Sequence, residues 1–379
     1  MTTPSGDPVI VAARRTPIGT RGRGLANVTV ERLAAPVIRA SIRDGFDALG
    51  GVRPLGDVVL GNCMGPGGNP ARVAALAAGL DASVPGMTID RQCGSGLAAI
   101  LEAATAIRAG DDRLRVAGGA ESASTAPVRS IDGVPYDRAP FAPAGIPDPD
   151  MARAADDLAR VAGISRERQD AYAARSHRLA LDAQTRDAFR GELVNLGSLD
   201  RDDAPGTVTD RMLPRFPAVF DDGSVTAGNS CRISDGAAAV LLAPAGTTGG
   251  APGLALLAHA TVGCDPALPG LGAAPAISAA LERAGLGLPD VAAFEIVEAF
   301  AAQLLAVLAE LGVSDTDRRV CADGGALALG HPWGASGAVA VVRLFSRLVR
   351  SGAPAGTIGV AAASVGGGMG VAAVFEVVR

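Results

Sequence analysis

An α/β fold with sheets covered on both faces, made of two related halves around an insertion, is what this chain predicts. Three observations carry that reading. Short apolar runs alternate with helix-like segments at both ends of the sequence, one glycine-flanked helix-and-strand design occurs twice, and a proline-rich, polar stretch separates the two copies. Strands buried on both faces read as unbroken apolar runs, whereas a half-exposed strand alternates.

The runs Val9–Ala13, 57–60 and 114–117 read as such strands, and residues 96–108 and 278–284 as helices. In the first copy, Cys93-Gly-Ser-Gly96 opens a helix that stops at Gly110; an apolar run to Ala117 and the pair Gly118-Gly119 follow. In the second, Gly334-Ala-Ser-Gly337 opens a helix that stops at Gly352, followed by the run 357–363 and Gly366-Gly367-Gly368. Between the copies, residues 126–150 are rich in proline and predict an extended, loop-dominated path. A polar amphipathic helix is expected from Ser165, with Arg168 and Gln169 behind it, to a stop at Gly191. Residues 123–233 therefore read as an insertion that covers something.

The 379 residues suffice for a sizeable core, and 48% of them are apolar. A net charge of −5 with no basic run argues against nucleic acid. Every one of the 34 basic residues is arginine, a coding bias and not a functional signal. After the polar opening Met1–Pro8, the first apolar run is too short for a signal-peptide core, and no run is long enough to span a bilayer. Five scattered cysteines (Cys63, Cys93, Cys231, Cys264, Cys321) have no metal-ligand spacing and predict neither a disulfide scaffold nor a metal site. The expected compartment is a reducing cytoplasm.

Cys93, in Ile89-Asp-Arg-Gln-Cys-Gly-Ser-Gly96, lies at a strand-to-helix junction. Unpaired N–H groups at a helix start favour a thiolate, so a lowered pKa is expected there. Of three histidines, His177 reads as a surface residue of the amphipathic helix and His259 as a satisfied core residue. His331, in Ala328-Leu-Gly-His-Pro-Trp-Gly-Ala-Ser-Gly337, is the candidate base for Cys93. The turn Ser364-Val-Gly-Gly-Gly-Met-Gly370 can aim backbone N–H groups into a site, although a tight turn or an anion nest would read the same.

In this order and spacing the motifs resemble the thiolase family over essentially the whole chain. Arg15-Thr-Pro17, Gly118-Gly-Ala-Glu-Ser122, Ile164-Ser-Arg-Glu-Arg-Gln-Asp170, Thr226-Ala-Gly-Asn229 with Asp235-Gly-Ala-Ala-Ala239, Glu298-Ala-Phe-Ala301, Gly324–His331 and Gly366–Gly370 all fit in register. The resemblance implies a five-layered αβαβα sandwich of two pseudo-repeated halves with an inserted loop domain. Residues 1–122 with 234–252 would form the first half, 123–233 the loop domain and 253–379 the second half. It also implies a homodimer or homotetramer and no cofactor beyond the thioester substrate. By match, Cys93 would be acylated, His331 would activate it, and the N–H groups of Cys93 and Gly366 would hold the oxyanion.

Two positions depart from the family pattern. Ser364 stands where a second cysteine shuttles the proton of the condensation, and Val297 stands where an asparagine holds the enolate's water. Losing one such donor typically costs about 3–4 kcal/mol in the transition state. The thioester-handling positions diverge as well. Asp150-Met151 replaces a histidine–methionine pair, Cys231 followed by Arg232 replaces the serine that meets the pantetheine, Pro269 replaces a pocket methionine, and Phe300 remains in its motif. The expectation is a specialised acyltransferase working on CoA or carrier-protein thioesters. Claisen-type joining to a second thioester, transfer to water, amine or alcohol, and a non-catalytic subunit are the competing outcomes.

Overall fold

The computed structural model describes residues 6–136, 138–197 and 199–379; Met1–Ser5 of the polar opening lie outside them. The first half runs β1 (Pro8–Arg15), β2 (Gly19–Thr20), α1 (Val30–Ala48), β3 (Leu55–Gly61), α2 (Pro70–Ala77), β4 (Gly86–Ile89), α3 (Ser95–Arg108) and β5 (Leu114–Ser122). The chain then leaves the sheet for a small hairpin, β6 (Arg129–Ile131) and β7 (Val134–Tyr136), and two helices, α4 (Met151–Val161) and α5 (Arg166–Thr185). It returns as β8 (Ser234–Pro244). The second half follows as β9 (Gly253–Gly263), α6 (Ala273–Ala284), β10 (Val291–Ile296), α7 (Ala301–Glu310), α8 (Ala326–Leu329), α9 (Trp333–Phe345), β11 (Ile358–Val365) and β12 (Met369–Val378).

The strand order β10-β11-β12-β9-β1-β8-β5-β3-β4 shows the repeat directly. In the first half β4, β3 and β5 are parallel, while β8 pairs antiparallel to both β5 and β1. The second half repeats this: β10 and β11 are parallel, and β12 is antiparallel to both β11 and β9. A single parallel bridge from Phe294 to Val320 stands where β4 stands in the first half. The halves meet where β1 pairs with β9 through Val9–Ala255 and Ile10–Leu254.

Three hydrophobic cores separate five layers. One joins α1 and α2 to the first half-sheet, one holds α3 and α9 between the half-sheets, and one joins α6 and α7 to the second. Successive side chains of a strand point to opposite faces. In β8, Ala237, Ala239 and Leu241 accordingly enter the outer core while Ala238, Val240 and Leu242 enter the central one. The repeated helices α3 and α9 touch backbone to backbone. A Cβ on Gly337 would lie 2.7 Å from the Leu97 nitrogen, and one on Gly96 would lie 2.9 Å from the Ala338 nitrogen. The two glycine-containing motifs are thus the contact that brings the heads of both helices to one place.

The amphipathic helix starts as expected, with the Ser165 hydroxyl accepting from the Arg168 N–H at 3.3 Å. It ends at Thr185, not at Gly191, because Asp187 takes a left-handed φ of 61° and turns the chain away. His177 is not a surface residue. At 3% exposure it is buried, because its ring lies against the backbone of Ala204 and near Arg232 within the same insertion. His259 in β9 is half-buried and its Nδ1 is unpaired, so it is not a satisfied core residue either.

Candidate active site

The Cys93 turn is built by its neighbours. After β4 the chain passes through Gln92, whose φ of 46° is costly for a residue with a Cβ. The Ser95 hydroxyl staples that turn, accepting from the Arg91 N–H at 2.7 Å and donating to the Gln92 carbonyl at 2.6 Å. The Cys63 thiol donates to the same carbonyl at 3.2 Å. Cys93 is thereby set one residue before Gly94, the N-cap of α3.

His331 enters from the opposite half. Gly330 before it has φ 109°, and a Cβ there would meet the Ser234 hydroxyl at 2.4 Å, so this turn requires glycine. The His331 N–H donates to the Arg232 carbonyl at 2.9 Å. Its Nδ1 lies 2.7 Å from the Ser336 hydroxyl and its Nε2 lies 3.3 Å from Cys93 Sγ. The backbone N–H groups of Cys93 and Gly366 both reach the same sulfur. Two residues 238 apart in the chain therefore meet at one hydrogen-bond contact, with two amide donors on the same sulfur.

Electrostatics overturn one expectation. Cys93 is not lowered by its helix start; desolvation pushes its thiol up to about 12, and the Glu121 charge adds to this against the two amides. His331 is pushed down to about 4 by burial. At neutral pH the resting pair is thiol and neutral imidazole. The acylation rate should consequently stay flat from pH 8 down to about 5, with no ordinary histidine inflection near 6.5. Measuring that rate against pH checks it, and an inflection near 6.5 would mean a solvated imidazole. His177 is also held down to about 4, chiefly by burial. Below about pH 6.5 the unfolded chain takes up protons that these two native histidines refuse, so stability falls as pH drops toward 4.

Glu121 is the buried knot between the halves. Its carboxylate accepts from the N–H groups of Cys63 (3.0 Å), Met64 (3.1 Å) and Gly334 (3.0 Å), and from the Asn62 side-chain amide (3.0 Å). Gly334 belongs to the first turn of α9, so one carboxylate ties the loop after β3 to the helix that follows His331.

Ser364 is fully occupied. Its hydroxyl donates to the Gly270 carbonyl at 2.6 Å and accepts from the Ala273 N–H at 3.0 Å and the Gln303 amide at 3.4 Å. Its one proton thus braces the turn that begins at Pro269. Val297 hydrogen-bonds through its N–H to the Ala362 carbonyl at 2.9 Å, and its buried side chain joins the central core. Cys231 donates its N–H to the Ala299 carbonyl at 3.0 Å, and Ser230 bridges Phe300, the half-buried N-cap of α7. Burial raises the Cys231 thiol, with a contribution from nearby Cys93. The Arg232 guanidinium points away to the Thr207 hydroxyl at 2.8 Å. Asp150 is exposed and caps α4, accepting from the Ala152 N–H at 2.8 Å; Met151 is the first, half-buried residue of that helix.

Four contributors escaped the sequence reading: Gln92, Ser95, Ser336 and Phe141. Ser336 lies inside the histidine motif, in the first turns of α9, and a hydroxyl at that spacing was the available signal. Phe141 comes from the proline-rich stretch; a Cβ on Gly366 would lie 2.6 Å from its ring, so this ring closes over the triple-glycine turn. Asp148 holds it there, accepting from the Phe141 N–H at 3.0 Å and from Arg138 at 2.6 Å.

Comparison with known proteins agrees with this architecture. The pattern described as "Thiolase, N-terminal domain" matches residues 8–246, and "Thiolase, C-terminal domain" matches 252–377. A Bacillus subtilis protein named "Putative acetyl-CoA C-acetyltransferase YhfS" is 43% identical, over 97% of this chain and 99% of its own. VraB of Staphylococcus aureus, carrying the same activity name, is 40% identical over 97% and 98%. The crystal structure of the Bacillus anthracis acetyl-CoA acetyltransferase superposes with a TM-score of 0.88 at 36% identity, covering 98% of each chain.

Proposed function

Because this chain belongs to the thiolase family, we propose that it transfers acyl groups from thioesters through an acyl-cysteine on Cys93. The contact that carries this reading is His331 Nε2 at 3.3 Å from Cys93 Sγ. As the sulfur attacks the thioester carbonyl, its proton passes to Nε2, and the carbonyl oxygen becomes an oxyanion facing the amides of Cys93 and Gly366. The old carbon–sulfur bond then breaks and the leaving thiolate takes the proton back. The relatives' names favour an acetyl group on CoA; a carrier-protein thioester is the second candidate donor. Cys231 and Phe300, beside Ala299, and Met151 at the head of α4 are the proposed substrate contacts. Asp150 and Arg232, each engaged elsewhere, are the weaker members of that set.

The second half-reaction is where we place the departure from ordinary thiolases. Ser364 spends its proton on Gly270, and Val297 offers no hydrogen bond to a water beneath an enolate. Abstraction of a proton from acetyl-CoA is therefore slow here. An acceptor that makes its own carbanion, as a malonyl thioester does by losing carbon dioxide, suits the site better and gives a Claisen-type product within a specialised pathway. The free edge of β4 at the end of the sheet supports assembly as a homodimer or homotetramer. No described helix is long and apolar enough to cross a membrane.

Intact-mass spectrometry with acetyl-CoA tests the first step: wild type gains an acetyl adduct and Cys93→Ala gains none. If wild type stays unmodified with every acyl-CoA and acyl-carrier protein tried, the enzyme reading fails. For the second step, wild type should make far more product from acetyl-CoA with malonyl-CoA than from acetyl-CoA alone. Val297→Asn should raise condensation of acetyl-CoA about tenfold or more. Ordinary acetoacetyl-CoA formation by wild type would refute the proposed departure.

A further inference from the structure

On the Nδ1 side of His331, where Ser336 stands, lies a largely buried cavity of about 30 Å³. Its walls include Glu295, Val297, Gly325, Ser336, Ala340 and Arg343. Ser336, Ala340 and Arg343 stand at i, i+4 and i+7 of α9, so one helix stripe forms a whole side of it. We propose that this cavity is a built site for one or two buried waters, and that through them Ser336 acts as a positioning residue for His331.

Hydrogen-bond accounting drives the proposal, which rests on the acyl-transfer reading for its catalytic part. To take the proton of Cys93, Nε2 must be bare, so the ring proton sits on Nδ1 and is donated to Ser336 Oγ. Ser336 then has an O–H left to give, and among the described residues its hydroxyl has no second partner. At the far end of the same stripe, Arg343 is 2% exposed and its Nε–H is unpaired. Its other nitrogens are engaged by Glu192 and Asp323. Two buried donors on one cavity call for an acceptor between them.

Size and charge select water. The volume holds one or two water molecules and nothing much larger. A bound anion is disfavoured because the carboxylate of Glu295, 3% exposed, lines the same space. Water accepts from Ser336 and from Arg343 and can donate to that carboxylate. Accepting the Ser336 proton turns the hydroxyl's lone pair toward Nδ1, which fixes the imidazole tautomer and ring plane and steadies the imidazolium formed during attack. Valine at position 297 gives the cavity an apolar wall that makes no competing hydrogen bond.

A crystal structure of wild type, at a resolution that shows ordered solvent, should show a water within hydrogen-bond reach of Ser336 Oγ. A dry cavity, or a Ser336 hydroxyl turned to a backbone carbonyl, overturns the proposal whether or not the enzyme acylates. Water there in a protein that never acylates upholds the site and overturns only the acyl-transfer reading. Ala340→Val fills the cavity and should slow acylation about tenfold to a hundredfold with the thioester KM unchanged. Ser336→Ala should match it, Ser336→Thr should keep most of the rate, and the Ser336→Ala/Ala340→Val double variant should be no slower than Ser336→Ala. Additive losses, or a wild-type rate in Ala340→Val, count against water as the link.

Discussion

Replacing His331 by alanine is expected to slow acylation of Cys93 by about 10²–10⁴-fold near neutral pH. The size follows from the resting thiol: with its pKa raised to about 12, hardly any thiolate exists at pH 7 unless a base takes the proton during attack. The same fact gives the variant a signature that simple misfolding lacks. Its residual rate should climb about tenfold per pH unit as hydroxide makes the thiolate, while wild type stays flat. Time courses of adduct formation by mass spectrometry at several pH values measure both. A His331→Ala protein that acylates as fast as wild type would separate the imidazole from the chemistry.

Glu192→Ala should cost about 3–5 kcal/mol or more of stability, the largest loss expected from any one substitution discussed. Glu192 is fully buried between two arginines. Arg15 Nε reaches one oxygen at 2.7 Å, and Arg343 reaches the other at 2.5 Å beside the Ser346 hydroxyl at 2.6 Å. Arg15 also holds Asp202 at 2.6 Å. Alanine would leave Arg15 with Asp202 and Arg343 with Asp323 as their sole carboxylate partners, and would remove the one carboxylate that joins β1 to α9. Burial alone would raise the Glu192 carboxyl, but Arg343 and Arg15 prevail and hold it below the ordinary range. Its stabilisation is therefore present above the ordinary carboxylate pKa and is lost as pH falls through the lowered native value. Denaturant midpoints of wild type and variant at pH 7 and at acid pH would show the gap narrowing on acidification. A difference under about 1 kcal/mol at pH 7 would mean that solvent reaches the pair.

Much of the fold was legible because its strands are buried on both faces and write themselves as apolar runs. Val9–Ala13 lies within β1, and the runs at 57–60 and 114–117 lie within β3 and β5. The glycine signatures at Cys93–Gly96 and Gly334–Gly337 were legible for a steric reason: two helix backbones in contact leave no room for a Cβ. Helix ends in the insertion were harder. The stop of α5 depends on a left-handed Asp187, and aspartate gives a weaker signal there than glycine does.

The sequence by itself determined which groups could do chemistry: a cysteine before a glycine-rich helix start, a histidine in a glycine-bracketed turn, and a triple glycine able to offer an amide. Tertiary structure alone decided their state. It set Cys93 as a protonated thiol and His331 as a neutral imidazole, buried His177, and tied down the Ser364 hydroxyl. The physical reason is that residue type fixes what a group can donate or accept. Its pKa and its free hydrogen bonds depend on desolvation and on partners that only the packed chain brings near, such as Glu121 beside Gly334 and Ser336 against His331.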